Sequence, residues 1–549
     1  MINQLSKAII FSCLSLILTR AASQESLLVF GGFQANANVF LRDSQIGAAN
    51  IPQYDYQLFG AETWFDLNAS YAGFNAGVRF DLFNNSNLLY PQGSYTAQGI
   101  GRWFINKEIN RLDMTVGYLY DQIGSGIIYR AWEERSQLID NALLGASVKY
   151  TINDNWSAKA FTGKQRNLFS VYNSVIKGAM INGFYAPSDS SKWSIAPGAG
   201  FINRTFSDEQ VQDQANISSG YLLVDQFNPS YNTNAFTFYN TLNYGPISWY
   251  AEAAFKPSSL IYNPLAIRSL PKGETSLGKY ERTNGSVFYT SIGYAAHNLG
   301  ITLEGKRTDG FDFRADHRID PLAANRGLIA YIPPMARINT YRLTSYYFPA
   351  TQFLNEMAYQ IDFKYSLGSH WNFSLNISDI RDLNFDEQFY KEINGEIVYK
   401  QEDAYQMSVG LQRQEVNVSL YFGKPATEPK VKTWTPYAEF LYYFNEKTSL
   451  RIETQYMHNK HDIGSWVYGL AELGISPHWL FELSGMYNTY HPKDGKKLFY
   501  PTAGMVFNYG NNRIGLRYVK QIQGIVCSGG ICRLEPAFSG LRASITSNF

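Results

Sequence analysis

The sequence predicts an all-β fold: a transmembrane antiparallel β-barrel of the outer-membrane type, with about 24 strands and a range of about 18 to 26. Three observations support this prediction. The chain starts with an export signal, it has no later apolar run long enough for a spanning helix, and alternating segments of about ten residues recur along the remainder. In lipid, only helices and closed barrels satisfy every backbone hydrogen-bonding group. Such a chain is therefore expected to cross the membrane with strands.

The N-terminal segment 1–23 has the layout of a secretory signal peptide. Lys7 supplies the basic region, 8–18 the apolar region, and 21–23 the small residues that precede cleavage. The apolar region is too short to span a bilayer as a helix. We therefore expect residues 24–549 to form a single barrel domain.

The charge balance argues against a nucleic-acid partner. The chain has 47 Lys and Arg against 46 Asp and Glu, and only 17% of its residues are charged. It is rich in Tyr (40) and Phe (36), residues that are frequent at the interfaces of membrane barrels. Outer-membrane lipid is the expected environment.

Two cysteines follow the signal peptide, Cys527 and Cys532, separated by Ser-Gly-Gly-Ile. In an oxidising compartment this spacing predicts a disulfide at a hairpin tip. A redox or metal pair is the alternative, but no third or fourth metal ligand lies nearby in the sequence.

Alternation with a period of two is clearest in segment 356–367, where Met357 and Ile361 lie on one face and Gln360 and Asp362 on the other. The connections alternate in length, as expected for short periplasmic turns and long external loops. Short turns are predicted at 72–73, 110–111, 153–155, 188–192, 245–247, 297–300, 369–370, 445–447, 476–478 and 511–512. Longer loops are predicted at 46–54, 84–98, 121–141, 207–234, 257–283, 315–355 and 384–403.

The C-terminal segment 541–549 alternates in the same way and ends on Phe549. Together with Gly540, this ending is similar to the signal that outer-membrane barrels present to the barrel-assembly machinery, which is therefore an expected partner. The last strand must pair with the first, near 27–42, because open strand edges are not tolerated in lipid.

The segment 121–141 combines a Gly-rich turn, at Gly124 and Gly126, with a dense set of charges. We expect a short helix over 129–138 and strand-borne cations that point into the same lumen. The candidate lumen or constriction residues are Arg130, Glu133, Glu134, Arg135, Asp140, Asn141, Lys149, Lys164 and Arg166.

Three interpretations of 121–141 remain open. It could narrow a pore as an in-folded loop, brace the lumen through salt bridges, or stand outside as a solvated loop. Both charge signs occur together, so a strongly anion- or cation-selective ring is disfavoured. The first two interpretations require Arg130, Glu133, Glu134 and Arg135 to face inward.

The segment 314–355 is predicted to be a long external loop rich in arginine and aromatic residues. Such a loop could stack on sugar rings or lipid headgroups. The alternative is a packed cap with an aromatic interface girdle, which is common in these barrels.

The sequence carries no GxSxG, P-loop or HExxH motif, and no catalytic residue or cofactor is expected. His458 and His461 would not share a face of an extended strand, so no metal site is expected. A TonB-dependent transporter would need a sizeable N-terminal plug domain, whereas strand-like sequence begins by Leu27.

Two blocks of sequence carry a family resemblance. YDQIGSGIIYRAWEERSQLIDNALLGASVKY, followed by AFTGKQR, and YIPPMARINTYRLTSYYFPATQFLNEMAYQIDFKY resemble an uncharacterised family of outer-membrane barrels from Bacteroidota. The resemblance implies a Gram-negative outer membrane and no established activity. It marks as motif positions Gly124, Gly126, Arg130, Glu133, Glu134, Arg135, Asp140, Asn141, Gly163, Lys164 and Arg166.

The function expected from these features is a passive channel or uptake porin for small polar solutes, narrowed by the charged loop 121–141. The alternative is a closed barrel scaffold whose external loops bind another envelope protein or a surface polysaccharide. The sequence does not favour an enzyme, and it leaves the oligomeric state open.

Overall fold

The computed structural model describes residues 26–549 except 91, 189, 321–324, 493, 494, 496, 529 and 530. For 525–534 the side chains are not described. The predicted signal peptide, 1–23, lies outside the described residues.

The chain forms a closed antiparallel β-barrel of 24 strands, as predicted. The strands of the first half are β1 (Leu28–Phe40), β2 (Phe59–Tyr71), β3 (Phe74–Ser86), β4 (Tyr95–Ile109), β5 (Leu112–Leu119), β6 (Glu133–Glu134), β7 (Ile139–Asp140), β8 (Leu143–Asn153), β9 (Trp156–Asn167), β10 (Ser170–Val171), β11 (Val175–Gly183), β12 (Trp193–Thr205), β13 (Asn232–Tyr244), β14 (Ile247–Ser269) and β15 (Thr275–Ala296).

The strands of the second half are β16 (Leu299–Asp309), β17 (Asn355–Leu367), β18 (Trp371–Arg381), β19 (Gln388–Gln401), β20 (Tyr405–Val416), β21 (Val431–Asn445), β22 (Thr448–Met457), β23 (Ser465–Ile475), β24 (Trp479–Tyr490), β25 (Phe499–Tyr509), β26 (Asn512–Gln521), β27 (Gly524–Ser528), β28 (Ile531–Glu535) and β29 (Phe538–Asn548). The short strands β6, β7, β27 and β28 form two separate hairpins in loops, and β10 pairs with the end of β9 without being one of the 24 strands of the ring.

Helical structure is confined to connections. The α-helices are α1 (Asp208–Ser219) and α2 (Val418–Phe422), and shorter 3-10 or π turns cover Gln53–Gln57, Arg135–Gln137, Leu223–Asp225 and Pro271–Gly273. Within the described part of the chain, neither helix has the length and apolar character needed to cross a bilayer.

The ring closes between the first strand and the last, as the sequence predicts. β1 pairs with β29 from Gly32 opposite Asn548 to Phe40 opposite Gly540. The Phe549 amide donates to the Gly31 carbonyl at 3.1 Å, which carries the pairing to the last residue. No strand of the ring is left with an open edge, as a barrel in lipid requires.

Short turns lie at one end of the barrel and long connections at the other, in agreement with the predicted asymmetry. Two predicted loops are instead mostly strand. The 257–283 segment continues β14 and β15 as one paired hairpin, whose register shifts between Lys256 and Ser259 and between Asn263 and Ile267. Bulges accommodate Pro257 and Pro264 there, so the prolines interrupt the ladder without ending it.

The predicted loop 384–403 is largely β19. Its polar residues Glu392 and Asn394 are buried on the lumen side, whereas Ile393 and Ile397 are exposed on the outer side. A wall strand with a polar inner face resembles a loop in composition, which explains the misassignment.

The outer surface of the barrel is apolar and the inner surface polar. In β13, for example, Phe238 is 68% exposed and its neighbour Thr237 is fully buried. An aromatic girdle lies at the short-turn end, where ring centroids of Trp371 and Tyr399 are 4.8 Å apart and those of Trp479 and Phe507 are 4.6 Å apart. This surface suits contact with lipid and its interface.

The lumen is partly filled by two in-folded connections, residues 120–142 and 310–354, which we call the first and second lumen loops. The second begins and ends at the outer rim, but it folds into the barrel instead of forming the predicted external loop. Tyr347 (1% exposed) and Phe348 (5% exposed) lie in a buried core inside the barrel, not in an interface girdle. Burial of this apolar surface is what draws the loop inward.

Candidate functional site

The first lumen loop turns back into the barrel directly after β5. Gly124 and Gly126 have φ of +58° and +102°, a backbone region that favours glycine, and they form the sharp bend that the sequence predicts. Glu252 of β14 fixes the bend to the wall. It accepts hydrogen bonds from the Ser125 amide at 2.9 Å and from the Ser125 hydroxyl at 2.6 Å.

The predicted helix over 129–138 is not formed. Gln122 pairs with Arg130 in an isolated bridge, β6 pairs with β7, and only Arg135–Gln137 makes a 3-10 turn. The Arg130 amide donates instead to the Ile329 carbonyl of the second lumen loop, at 2.9 Å. Tertiary partners have therefore outweighed the helical preference of this segment.

Five charged side chains from β3, β9 and the first lumen loop form an arginine–carboxylate cluster: Arg79, Asp81, Glu133, Asp140 and Arg166. Arg79 donates to both carboxylate oxygens of Asp81, at 2.7 and 3.0 Å, and its Nη1 lies 2.7 Å from Glu133 Oε1. Arg166 Nη2 donates to Asp81 at 3.1 Å, and its Nη1 pairs with Asp140. Asp81 thus joins the two arginines, while Glu133 and Asp140 attach the loop to the wall.

Arg135 attaches the first lumen loop to a second part of the wall, near the middle of the barrel. Its guanidinium donates to Gln34 at 2.9 Å and to Asp66 at 3.3 Å, and it lies over the Trp64 ring. Arg102 of β4 also pairs with Asp66, at 3.1 Å. Because Gln34 and Asp66 lie midway along β1 and β2, the loop reaches about half the depth of the wall.

The arginine–carboxylate cluster is tightly packed and electrically balanced. The side chains of Arg79 and Asp81 are each 1% exposed, and the void beside them is about 20 Å³, roughly the space for one water molecule. The three carboxylates face Arg79 and Arg166 and also the neighbouring Arg135. An arrangement of this kind braces a loop, and it offers no single-sign field for selecting ions.

The structure places most of the predicted constriction residues in or beside this cluster. Arg130 stacks over the Tyr331 ring, with 4.1 Å from its guanidinium carbon to the ring centroid. Glu134 accepts a hydrogen bond from the Ser136 hydroxyl at 2.6 Å, within the loop. Asn141 is buried. Inward contacts with other lumen residues are therefore seen for Arg130, Glu133 and Arg135.

Lys149 and Lys164 lie apart from the cluster. Lys149 is exposed on β8, opposite Asp113 and Lys159 on the neighbouring strands. Lys164 is opposite Leu144 and shares the outward face of β9 with the exposed residues Ala160 and Thr162. Lys164 is next to Gln165, which points inward and bonds to the second lumen loop, so Lys164 points outward; the pairing of β9 with β8 ends at Gln165, and Arg166 beyond it departs from this alternation.

Sequence reasoning missed the wall partners of the loop, namely Arg79, Asp81, Asp66, Arg102 and Glu252. A local signal exists for two of them. Arg79 and Asp81 alternate with Phe80 and Leu82, and charged residues in such an alternation must face the lumen in a barrel. Which lumen residues they meet depends on strand register, which that pattern does not contain.

The two lumen loops are joined to each other. Besides the bond from Arg130 to Ile329, the Tyr331 amide donates to the Gly126 carbonyl at 3.0 Å. A buried apolar core surrounds this junction, where Tyr129 stacks on Phe161 of β9 at 4.6 Å. The loops therefore pack as a single body inside the barrel.

Polar side chains of the wall hold the backbone of the second lumen loop. Gln165 donates to Leu328 O at 2.7 Å, and Gln412 donates to Thr344 O at 2.9 Å. In the reverse direction, the loop backbone donates to the wall: the Leu343 amide donates to the Gln455 side-chain oxygen at 2.7 Å. These bonds satisfy backbone groups that are buried away from water, and they explain why buried wall positions carry glutamine.

A buried ion pair adds to this attachment. Lys306 Nζ lies 2.6 Å from Glu356 Oε1, and both side chains are at most 1% exposed. Lys306 also donates to the Pro333 carbonyl at 2.7 Å. Deeper in the lumen, the Tyr341 hydroxyl donates to Glu396 at 3.2 Å. The second lumen loop therefore also descends to about the middle of the wall.

Helix α1 contacts the rim part of the second lumen loop. Arg318 donates to Asp213 through Nε at 2.6 Å, and the His317 ring lies 2.7 Å from the same carboxylate. The hydrogen bond from Arg318 is the main cause of a lowered pKa of Asp213. This contact covers the loop from the outer side.

Two polar cavities remain beside the lumen loops. One, of about 360 Å³, lies along β2, β1, β29 and β26, under Arg135 and Ser136 of the first lumen loop. The other, of about 500 Å³, lies beneath the second lumen loop along β22, β23 and β24. Arg517 of β26 lines both, so the two cavities adjoin.

The backbone of the β27–β28 hairpin places Cys527 opposite Cys532, the position that a cross-strand pair requires. Their side chains lie outside the described residues, so the disulfide stays a prediction. Among the described residues, no three His, Cys, Asp or Glu side chains are grouped as metal ligands.

Comparison with known proteins gives one family and several distant folds. The profile of a family described as "Family of unknown function (DUF6029)" matches residues 4–549. No curated protein matches the chain. Among solved structures, the P pilus usher (PapC) translocation pore is 10% identical, with a TM-score of 0.45 over 95% of this chain and 99% of that chain. The siderophore receptor PirA from Pseudomonas aeruginosa is 9% identical, with a TM-score of 0.41 over 96% of this chain and 81% of that chain.

Proposed function

The chain belongs to the DUF6029 family of unknown function, and from its lumen we propose that it is a passage for small polar solutes, narrowed by two in-folded loops. The observation that carries this proposal is the pair of adjoining polar cavities that share Arg517. They run beside the lumen loops, not through them. A solute would therefore move along the inner wall while the loops stay attached.

The arginine–carboxylate cluster has a structural part in this proposal. Its charges are all engaged with one another, and it holds the first lumen loop at the depth of Gln34 and Asp66. The loop then sets the width of the passage as a fixed constriction, and no catalytic role is proposed for its charged groups.

The proposed location is the outer membrane of a Gram-negative bacterium of the Bacteroidota, reached after signal-peptide-directed export. The apolar outer surface and the girdle at the short-turn end support a lipid environment. The resemblance of the two sequence blocks supports the bacterial group. The barrel-assembly machinery is the proposed partner during insertion, through Gly540 and Phe549.

The first prediction concerns conductance in planar bilayers. We expect the mature wild-type barrel to give small discrete conductance steps. Replacing residues 123–139 by a short Gly-Ser linker removes the constriction, so conductance should rise several-fold. The matched control shortens the β14–β15 tip at Pro271–Gly273, which lies outside the lumen and should leave conductance unchanged.

Folding of each variant is checked by the mobility shift of unheated samples on denaturing gels. If wild type and the folded loop variant are both silent, the passage proposal is overturned and a closed scaffold takes its place.

A further inference from the structure

The inner face at the closing seam carries a regular array of amides and arginines. In β1, Gln34, Asn36 and Asn38 alternate with Ala35 and Ala37, and the amides line the cavity of about 360 Å³. Their small neighbours face outward, so the polar face is the one turned to the lumen. Three amides in succession on a wall strand give the cavity a continuous row of donors and acceptors.

Strand register aligns this row with arginines on β29 and β26. Asn38 is opposite Arg542, and Arg542 is opposite Arg517. Gln34 is opposite Thr546, which in turn is opposite Arg513. The pairings therefore bring the arginines and the amides onto one continuous patch of wall.

The arginines outnumber the carboxylates around this cavity. It is lined by Arg135, Arg513, Arg517 and Arg542 against Glu62 and Glu535. Glu62 accepts a hydrogen bond from Ser86 at 2.6 Å and is 3% exposed, so it lies in the wall. Arg135 pairs with Asp66 and Arg517 with Glu482, so the open positive charge of this cavity lies mainly at Arg513.

The guanidinium groups differ in how fully they are engaged. Arg517 pairs with Glu482 at 3.1 Å and is still 44% exposed. Arg542 stacks over the Phe538 ring at 4.0 Å. Arg513 is exposed, and no ion pair joins it to any residue that the structure describes. Arg513 is therefore the group most available to a ligand.

We infer that this seam cavity binds small hydroxylated organic anions, a class that includes sugar acids and sugar phosphates. Guanidinium groups recognise carboxylates and phosphates through paired hydrogen bonds, and the amide row supplies partners for hydroxyl groups. The inference rests on the proposed function and names the solute class for that passage.

The position of the arginines along the barrel fits a solute in transit. Arg513 lies one residue after the start of β26, close to the short-turn end, and Arg517 lies further up on the same face. Arg517 also lines the second cavity, where Glu453, Glu472 and Glu482 balance the arginines. The anion site is therefore confined to the seam cavity, and a solute that moves on into the second cavity leaves the positive surface behind.

The test compares efflux of gluconate with efflux of sorbitol from proteoliposomes, because the two probes are similar in size and differ in charge. For wild type we expect gluconate to leave about tenfold faster than sorbitol, the effect of a focused positive field. In the double variant Arg513→Gln and Arg542→Gln, the ratio should fall to about one. The matched control is Lys364→Gln, which removes a lumen-side charge on β17, away from the seam.

The outcomes separate the two claims. If sorbitol and gluconate leave wild-type liposomes at equal rates, the anion inference is wrong while the passage stands. If the double variant keeps the wild-type ratio, or Lys364→Gln lowers it equally, the seam is not the site. If neither probe leaves through wild type or through the loop-shortened barrel, the passage itself is overturned.

Discussion

Arg79 connects three carboxylates at once, which gives a single wall residue control over the first lumen loop. Its contacts run to Asp81 on its own strand and to Glu133 and Asp140 of the loop. Its side chain is 1% exposed. A buried charge of this kind is stable only while its partners remain, because burial without pairing is costly.

The prediction at this scale is that Arg79→Ala destabilises the barrel by about 3–5 kcal/mol, since it leaves buried carboxylates without their partner. Guanidinium unfolding of detergent-solubilised protein, followed by circular dichroism, measures the loss. The control is Arg42→Ala, whose pairing with Asp55 is at 3.8 Å with the arginine 59% exposed. That variant should lose at most about 1 kcal/mol. Equal losses for the two variants would contradict the role given to the cluster.

Individual site residues were predictable only in part. The charge density of 121–141 pointed to Glu133 and Asp140, and Arg166 was expected separately as a strand-borne cation facing the same lumen; the structure brings the three together. Their partner Arg79 was not foreseen, because its place depends on pairing between distant strands. At Gly101 the register of β3 and β4 shifts, and a Cβ there would lie 2.0 Å from Asp81 Oδ2. A bulge of this kind alters which side chains meet, and nothing local in the sequence requires it.

Most wall strands were predicted correctly from their alternation. The strands that were mistaken for loops are those with a polar or proline-containing sequence. β19 was read as a loop because its inner face is polar, and the 257–283 hairpin because it contains proline and charge. The short helix expected over 129–138 failed for a different reason: its backbone groups bond to the second lumen loop. Alternation of apolar and polar residues predicts a strand. The conformation of a loop that bonds to distant residues has no corresponding local sequence pattern.

Helix α1 gives a pH-dependent prediction at the element scale. Asp213 faces Arg318 and His317, and the hydrogen bond from Arg318 lowers its pKa below the usual value near 4. A carboxyl whose pKa is lowered on folding stabilises the contact above its unfolded pKa. That contribution is lost as pH falls through the lowered folded value. Arg318 is 66% exposed, so the contribution is about 0.5–1 kcal/mol.

We therefore expect α1 to exchange its amide hydrogens faster, after correction for intrinsic rates, at acid pH below that folded pKa than at pH about 7. Mass spectrometry of peptides covering Asp208–Ser219 measures the exchange. The variant Asp213→Asn should show the faster exchange already at neutral pH and lose most of the pH dependence. Wild-type protection in that variant would rule out the Asp213 contact as the cause.

For the whole molecule, barrel class, strand number and seam were predictable because they follow from alternation, turn spacing and the need to remove strand edges in lipid. The inward course of the second lumen loop was not. Its length and aromatic content suit an external cap equally well, and the choice is made by wall residues such as Gln165, Lys306 and Gln412 that bind its backbone.

The seam itself gives the prediction at this scale. A Cβ at Gly540 would lie 2.0 Å from the Val39 carbonyl oxygen, across the pairing that closes the ring. Gly540→Ala should therefore cost about 1–3 kcal/mol and reduce the amount of folded barrel in membranes. The control is Gly300→Ala, where no atom lies within 4 Å of the added methyl group. The folded fraction is read from unheated gels of membrane preparations, and equal fractions for the two variants would contradict the steric account.

The bonds between the two lumen loops also have a mechanical consequence. The first lumen loop connects β5 to β8 and the second connects β16 to β17, which are well separated around the ring. The loops meet through the backbone bonds of Arg130 to Ile329 and of Tyr331 to Gly126. A link between two separate wall segments opposes any change in the distance between them. The joined loops are such a link, and we expect the barrel cross-section to vary less with them than without them.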